Sequence, residues 1–121
     1  MELTQLLNSV HVIQVTGEVQ RKDVAGIVYD SRKVQKNSLF VAIKGFQTDG
    51  HRYLQDAINK GAIGVVVEDN NSIPDDLIHH AQISKILVND SRKALAELSK
   101  GFYKDPTSKL KLIGITGTNG K

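Results

Sequence analysis

The chain has 121 residues, 40% hydrophobic and 24% charged, which is the composition of one soluble globular domain with its own core. Its formal charge of +3 comes from scattered lysines and arginines, and only 5% of its residues are aromatic, which disfavours a nucleic-acid groove and fits a small anionic ligand. The absence of cysteine excludes disulfides and thiolate metal sites. The N-terminus lacks a signal-peptide pattern and no stretch reaches membrane-spanning length, so a cytoplasmic protein is expected.

The first half of the chain predicts one short helix and several strands. Leu3, Leu6 and Leu7 have helical spacing, which predicts a short amphipathic helix over residues 3–8. Apolar and β-branched runs predict strands over residues 10–15, 25–29 and 39–43. His11 lies in the first of these runs, and we expect it to be a partly buried structural residue.

The second half predicts helices alternating with strands. Asp49 is expected to cap a helix that ends at Gly61 and whose inner face carries Tyr53, Leu54, Ala57 and Ile58. Strands are predicted over residues 62–67 and 86–88, and a helix capped by Asp90 carries Ala94, Leu95, Leu98 and Phe102. This alternation indicates an α/β domain.

Residues 68–85 form the least regular part of the pattern. The segment is polar and contains Pro74, so we expect irregular backbone with at most a helical turn at Leu77 and Ile78. The pair Asp75-Asp76 is expected to be solvated because it lies in a polar loop. The pair His79-His80 is expected to be solvated because its side chains would diverge on a helix and no carboxylate lies at ligand spacing.

The string Asp-Ser-Arg-Lys occurs at residues 30–33 and again at residues 90–93. Two copies of four residues do not make a repeat architecture, which needs a sustained period. The second copy opens a predicted helix, so we interpret it as a helix cap. The role of the first copy is left open.

The loop from Gly45 to Gly50 has the glycine spacing of a phosphate loop. His51 and Arg52 stand where such a loop needs Lys and Ser/Thr, which disfavours a triphosphate cradle. The loop precedes a predicted helix N-terminus that favours an anion, and it carries Phe46, Gln47 and Thr48, which could cover a base or form hydrogen bonds. An ordinary surface loop is the alternative.

The last residues form the second glycine-rich segment. An apolar run, 110–115, leads into the sequence Gly117, Thr118, Asn119, Gly120 and Lys121. Glycines let phosphates approach the main chain, and the lysine supplies a point charge for them, so we predict ATP binding by these five residues. Ile115 stands where the general motif has its first glycine, and the Ser/Thr that should follow Lys121 is absent. A plain strand-to-loop turn is therefore the alternative.

Four motifs in order resemble the N-terminal region of the Mur ligases: Asp30-Ser-Arg32, Ser38-Leu-Phe-Val-Ala-Ile-Lys-Gly45, Asp49-Gly-His51 and Gly114-Ile-Thr-Gly-Thr-Asn-Gly-Lys121. The resemblance covers the chain from about Ala25 onwards. The family's own loop is T-G-T-N-G-K-[ST], so the missing first glycine is no departure from it. Gly101-Phe-Tyr-x-x-Pro106 favours the family member that adds the third amino acid of the peptidoglycan precursor over the sibling that adds D-alanyl-D-alanine.

The resemblance implies an architecture and a set of binding residues. Residues 1–106 would be a UDP-sugar-binding domain with a small mixed sheet flanked by helices. Residues 107–121 would be the first strand and P-loop of a truncated central ATP-binding domain. By motif position, Tyr29 and Ser31 would contact the UDP-sugar, and Phe46, Gln47 and Thr48 would line the uridine or diphosphate site.

The resemblance also implies an activity for a longer parent protein. The family uses ATP and Mg²⁺ to convert a carboxylate into an acyl phosphate that an amine attacks, here adding a diamino acid to UDP-N-acetylmuramoyl-L-Ala-D-Glu. The Mg²⁺ ligands and catalytic residues would lie beyond Lys121, so we expect no catalytic or metal-binding residue in this chain and no turnover by it alone. The expected partner is the UDP-linked precursor, with neither nucleic acid nor membrane. The diamino acid is left open, and a non-catalytic nucleotide-binding or interaction module is the rival class.

Overall fold

A computed structural model describes residues 1–44 and 49–104 of the chain. The strands are β1 (Gln14–Thr16), β2 (Gly26–Val28), β3 (Ser38–Val41), β4 (Gly64–Val67) and β5 (Ser84–Leu87). The helices are α1 (Leu3–Leu7), α2 (Leu54–Asn59), α3 (Asp75–Ala81) and α4 (Ser91–Lys104), with 3₁₀ turns at Ser31–Lys33 and Gly50–Tyr53.

The strands form one mixed sheet in the order β1-β5-β4-β3-β2. Strands β2, β3, β4 and β5 are parallel, whereas β1 pairs antiparallel with β5, with Gln14 opposite Leu87. The expected α/β fold with a small mixed sheet between helices is confirmed. Because the parallel strands share a direction, their carboxyl ends meet at one edge of the sheet, which we call the carboxyl edge.

Both faces of the central strands β3 and β4 are buried, which explains why these strands are continuous apolar runs. Alternate residues of β3 point to opposite faces: Leu39 and Val41 join the core under α1 and α4, and Phe40 joins the core under α2 and α3. The first core is completed by Leu3, Leu6, Val24, Val66, Ile86, Val88, Ala94, Leu98 and Phe102. The second core is completed by Val34, Ala42, Leu54, Ala57, Ala62, Val65, Val67, Ile73, Ile78 and Ile83.

The predicted helices before and after the sheet are largely confirmed. Helix α4 buries Ala94, Leu98 and Phe102 as expected, and Gly61 follows α2 with φ 108°, the left-handed conformation that ends helices at glycine. His11 is exposed, so the expectation that it is partly buried was wrong. The reason is that His11 lies before β1, an edge strand whose own residues Gln14 and Val15 are exposed.

Residues 68–85 are more ordered than their composition suggested. Helix α3 occupies seven of them, with acidic residues in its first turn, where they suit the helix dipole. Asp75 was expected to be solvated, but it forms an ion pair: its Oδ1 lies 2.8 Å from Nζ of Lys85. Lys85 is only 2% exposed, and its Nζ also donates to the carbonyl of Asn70 at 2.9 Å. This ion pair joins the start of α3 to strand β5 of the sheet.

Candidate functional site

A cleft of about 430 Å³ lies at the carboxyl edge, beside the ends of β2 and β3. It is lined by Tyr29, Asp30, Ser31, Arg32, Phe40, Ile43, Gly50 and Tyr53. Ligands of open α/β sheets bind outside the carboxyl ends of the strands, and small-molecule pockets begin at roughly 300 Å³. The cleft therefore has the position and the size of a binding site.

The wall that follows β2 is a capped 3₁₀ turn. The Asp30 carboxylate accepts hydrogen bonds from the Arg32 backbone N–H at 3.0 Å and from its guanidinium at 2.8 and 3.1 Å. The guanidinium contacts, followed by the backbone bond, lower the pKa of Asp30 to about 2. Asp30 is therefore ionised at neutral pH and hydrogen-bonded to Arg32, so it stabilises the turn and has no proton to donate.

Ser31 sits at the start of this turn with 7% of its surface exposed. Its carbonyl accepts from Nζ of Lys60 at 3.1 Å, which fixes the backbone. Among the described residues its hydroxyl has no hydrogen-bond partner. A nearly buried hydroxyl at a cleft wall, without a protein partner there, is available to a ligand.

The opposite wall is the 3₁₀ turn from Gly50 to Tyr53. The N–H of Gly50 donates to the carbonyl of Ile43 at 2.8 Å, and a bridge between Lys44 and Asp49 joins the two ends of residues 45–48. A Cβ on Gly50 would lie 2.6 Å from the backbone nitrogen of Ile43, so only glycine fits there. The two walls thus come from the chain segments that follow the neighbouring strands β2 and β3.

Tyr53 lines the cleft and is 40% exposed. The expectation that it lies on the inner face of α2 was wrong. Asp49 caps a 3₁₀ turn, with its carboxylate accepting from the His51 N–H, so α2 begins only at Leu54. The predicted Asp49 cap is confirmed, but the extra turn rotates Tyr53 out of the core.

His51 links the cleft wall to the neighbouring strand. Its Nδ1 lies 2.6 Å from Oδ1 of Asp49, and its Nε2 accepts from the Glu68 N–H at 2.9 Å. Because Nε2 accepts a hydrogen bond, the ring proton is on Nδ1 and donates to Asp49. Burial tends to raise the pKa of Asp49, but the hydrogen bonds from the His51 backbone and ring outweigh it, and the net shift is downwards.

The second Asp-Ser-Arg-Lys string is a helix cap, as predicted. Asp90 accepts from the backbone N–H groups of Arg92 and Lys93 at 3.0 and 3.2 Å, and Glu68 accepts from that of Ser91 at 2.7 Å. These carboxylates occupy the donors at the start of α4, so this helix N-terminus offers little to an external anion. The first copy uses the same cap on a shorter turn, but its serine faces the cleft.

The structure brings together Tyr29, which is 64% exposed, and Ser31 on one wall of the cleft. Phe46, Gln47 and Thr48, and also Gly117, Thr118, Asn119, Gly120 and Lys121, lie outside the described residues, so their binding roles stay predictions. The strand expected over 110–115 and the domain boundary expected near residue 106 also lie outside them.

Sequence reasoning did not place Arg32 and Tyr53 in the site. Their signal was weak, because each depends on a 3₁₀ turn that apolar periodicity does not reveal. Within residues 1–44 and 49–104, no three His, Asp or Glu side chains are grouped so that they could hold a metal ion. None of the helices in the same ranges is both long and apolar enough to cross a membrane.

Comparison with known proteins connects this fold to one family. The profile described as "Mur ligase family, catalytic domain" matches residues 23–103. The whole chain aligns with UDP-N-acetylmuramoyl-L-alanyl-D-glutamate–2,6-diaminopimelate ligases of Alkaliphilus metalliredigens, at 44% identity, and Caldanaerobacter subterraneus, at 46% identity. The chain spans 23% of the length of each of these relatives.

Solved structures share the fold. The D-alanyl-D-alanyl-adding ligase of Acinetobacter baumannii matches with a TM-score of 0.65 at 23% identity, over 85% of this chain and 21% of that one. The MurF ligase of Thermotoga maritima, in complex with ADP, matches with a TM-score of 0.51 at 28% identity, over 65% of this chain and 17% of that one.

Proposed function

The chain belongs to the Mur ligase family, and on that premise we propose that it is the UDP-substrate-binding portion of an ATP-dependent amide-forming ligase. The longer protein would add a diamino acid to UDP-N-acetylmuramoyl-L-Ala-D-Glu in the cytoplasm, for peptidoglycan synthesis. We infer 2,6-diaminopimelate as that amino acid, because the relatives at 44% and 46% identity are named for it. The observation that carries the proposal is the cleft at the carboxyl edge, with the Ser31 hydroxyl on its wall.

The polar groups of the cleft suit a nucleoside diphosphate. Ser31 offers a hydroxyl, and Tyr29 and Tyr53 offer aromatic surface for a pyrimidine ring. Arg32 donates hydrogen bonds from Nε and Nη2 to Asp30, which fixes the orientation of its guanidinium group. The other N–H groups of the guanidinium are left for a phosphate. Phe46, Gln47 and Thr48 follow Lys44 in sequence, and we propose that they complete the nucleotide contacts.

The chemistry of the longer protein follows from what a carboxylate needs before an amine can attack it. ATP supplies the phosphoryl group that turns the substrate carboxylate into an acyl phosphate. We propose that residues 117–121 hold the phosphates of ATP, with Lys121 as the point charge and Mg²⁺ as the accompanying ion. In this scheme residues 1–106 contribute affinity and orientation for the UDP end of the other substrate.

The alternative within the family is the ligase that adds D-alanyl-D-alanine. Solved structures of that type share the fold at 23% and 28% identity, whereas the diaminopimelate ligases are 44% and 46% identical to this chain over its entire length. Sequence identity therefore favours the diamino-acid ligase.

Titration of the 121-residue chain with UDP, followed by NMR and calorimetry, tests the proposal. Saturable binding that shifts the amide signals of residues 29–32 and 49–53 is expected. Ser31→Ala should raise the Kd about 2- to 10-fold, since one hydrogen bond to the ligand is lost. Ser91→Ala is the matched control, because it truncates the same position of the repeated string away from the cleft and should leave the Kd unchanged.

Two outcomes would contradict the proposal. Absence of UDP binding by the wild-type chain would favour an interaction module instead. Equal effects of Ser31→Ala and Ser91→Ala would place the nucleotide elsewhere. We also expect the chain alone to release no phosphate from ATP in the presence of the UDP-dipeptide and diaminopimelate, since it spans 23% of the relatives' length.

A further inference from the structure

His51 does not line the cleft, yet its side chain holds the turn that forms one wall of it. We propose that His51 is a positioning residue for nucleotide binding, which acts by tying Gly50 and Tyr53 to the frame of the sheet. This inference rests on the proposed function, because it needs a ligand in the cleft between Ser31 and Gly50.

The first half of the tie is local. Gly50 and Tyr53 are the two ends of the 3₁₀ turn, and both line the cleft. The His51 side chain is 10% exposed and turns back to Asp49, whose Oδ1 also accepts from the His51 backbone N–H at 3.0 Å. One carboxylate oxygen therefore receives two hydrogen bonds from the same residue, which fixes the entry of the turn.

The second half of the tie reaches the sheet. Nε2 of His51 accepts from the N–H of Glu68, the residue that directly follows β4. Strand β4 lies in the interior of the sheet, paired with β3 and β5. The Glu68 carboxylate in turn accepts from the Ser91 N–H at the start of α4. The imidazole thus connects the cleft wall to an interior strand of the sheet.

Without the ring, the hydrogen bonds that hold this turn among the described residues come from its backbone. Gly50 donates to Ile43 at 2.8 Å, Arg52 donates to the Asp49 carbonyl at 3.0 Å, and the backbone N–H of residue 51 donates to the Asp49 carboxylate at 3.0 Å. The Glu68 N–H and one acceptor site of Asp49 would lose their partners, and the turn would be free to shift away from β4. Because ligand contacts depend on placement within fractions of an ångström, such a shift lowers affinity even though His51 does not touch the ligand.

The test compares three variants of the 121-residue chain, each at a temperature where the chain is folded. His51→Ala should raise the Kd for UDP about tenfold and speed hydrogen exchange at the Gly50 amide about tenfold. His80→Ala, an exposed residue of α3, should change neither. Glu68→Ala removes the cap on Ser91 but keeps the backbone N–H that serves His51, so it should lower stability and leave the Kd within about twofold.

The outcomes separate this inference from the proposed function. A wild-type chain that does not bind UDP overturns both. A wild-type chain that binds UDP, with His51→Ala equal to it in Kd or in Gly50 exchange, overturns the positioning role alone. Equal losses of affinity in His51→Ala and Glu68→Ala also overturn it, because they would indicate general loosening of the domain.

Discussion

Replacing Gly50 with alanine tests whether the backbone approach at the cleft wall is as tight as described. The added Cβ would lie 2.6 Å from the Ile43 nitrogen, 3.0 Å from the Ile43 carbonyl oxygen and 3.1 Å from the Ala42 Cα. All three neighbours are backbone atoms at the end of β3, so the strain cannot be relieved by a side-chain rotation. Overpacking of this kind costs about 1 to 3 kcal/mol.

Gly26→Ala is the matched control, because a Cβ on Gly26 in β2 would meet nothing within 4 Å. That substitution should stabilise the chain by about 0.4 to 1 kcal/mol, since alanine restricts the unfolded chain. The two variants should therefore differ by about 1.4 to 4 kcal/mol in free energy of unfolding.

Urea denaturation followed by circular dichroism measures this difference, with the slope of the transition checked for two-state behaviour. Gly50→Ala should also weaken UDP binding, because the turn that carries it lines the cleft. A Gly50→Ala chain as stable as Gly26→Ala would refute the close approach of the turn to β3.

Three further predictions concern an ion pair, a helix cap and a core residue. Asp75→Asn should destabilise the chain at neutral pH, whereas the exposed Asp76→Asn should not. The Lys85 ammonium lowers the pKa of Asp75. The ion pair therefore contributes to the stability of the wild-type chain above about pH 4, and this contribution is lost as the pH falls through the folded-state pKa. Denaturation measured from pH 7 to pH 2 should show a smaller loss of stability on acidification in Asp75→Asn than in the wild type. Asp90→Ala should cost about 1 kcal/mol in urea denaturation, because two N–H groups of α4 lose their acceptor, and an unchanged midpoint would contradict the cap. Leu98→Ala should cost about 2 to 5 kcal/mol, since the side chain is fully buried, and the partly buried Leu95→Ala should cost clearly less in the same assay.

The sequence predicted the features that depend on local physical rules. Asp49 and Asp90 act as caps because a short acidic side chain can reach the free N–H groups of the next turn. Gly61 follows the end of α2 and terminates the helix, because glycine adopts a positive φ at low cost. The apolar runs that became β3 and β4 are buried because both faces of these central strands are covered, whereas β1 at the edge of the sheet stays largely exposed.

The features that the sequence did not reveal depend on contacts between distant residues. Helix α3 has only seven residues, so its stability comes from tertiary contacts, namely the packing of Ile78 and the Asp75–Lys85 ion pair, rather than from helix propensity. Lys85 is buried because Asp75 and the carbonyl of Asn70 meet its ammonium, and no spacing rule identifies those partners. The cleft likewise forms from segments after β2 and β3, so its lining required the register of the sheet.

The pairing of β1 with β5 constrains the order in which this domain can assemble during synthesis. Strand β1 has no partner until β5 has been synthesised, because Gln14 pairs with Leu87. The core that contains Leu3 and Leu6 is complete only once α4 has been made. At about 5 to 20 residues per second, the ribosome takes roughly 4 to 15 s to make the intervening chain. Strand β1 therefore completes its sheet pairing only after β5 has been made, and a nascent chain halted before β5 should leave β1 accessible to proteases.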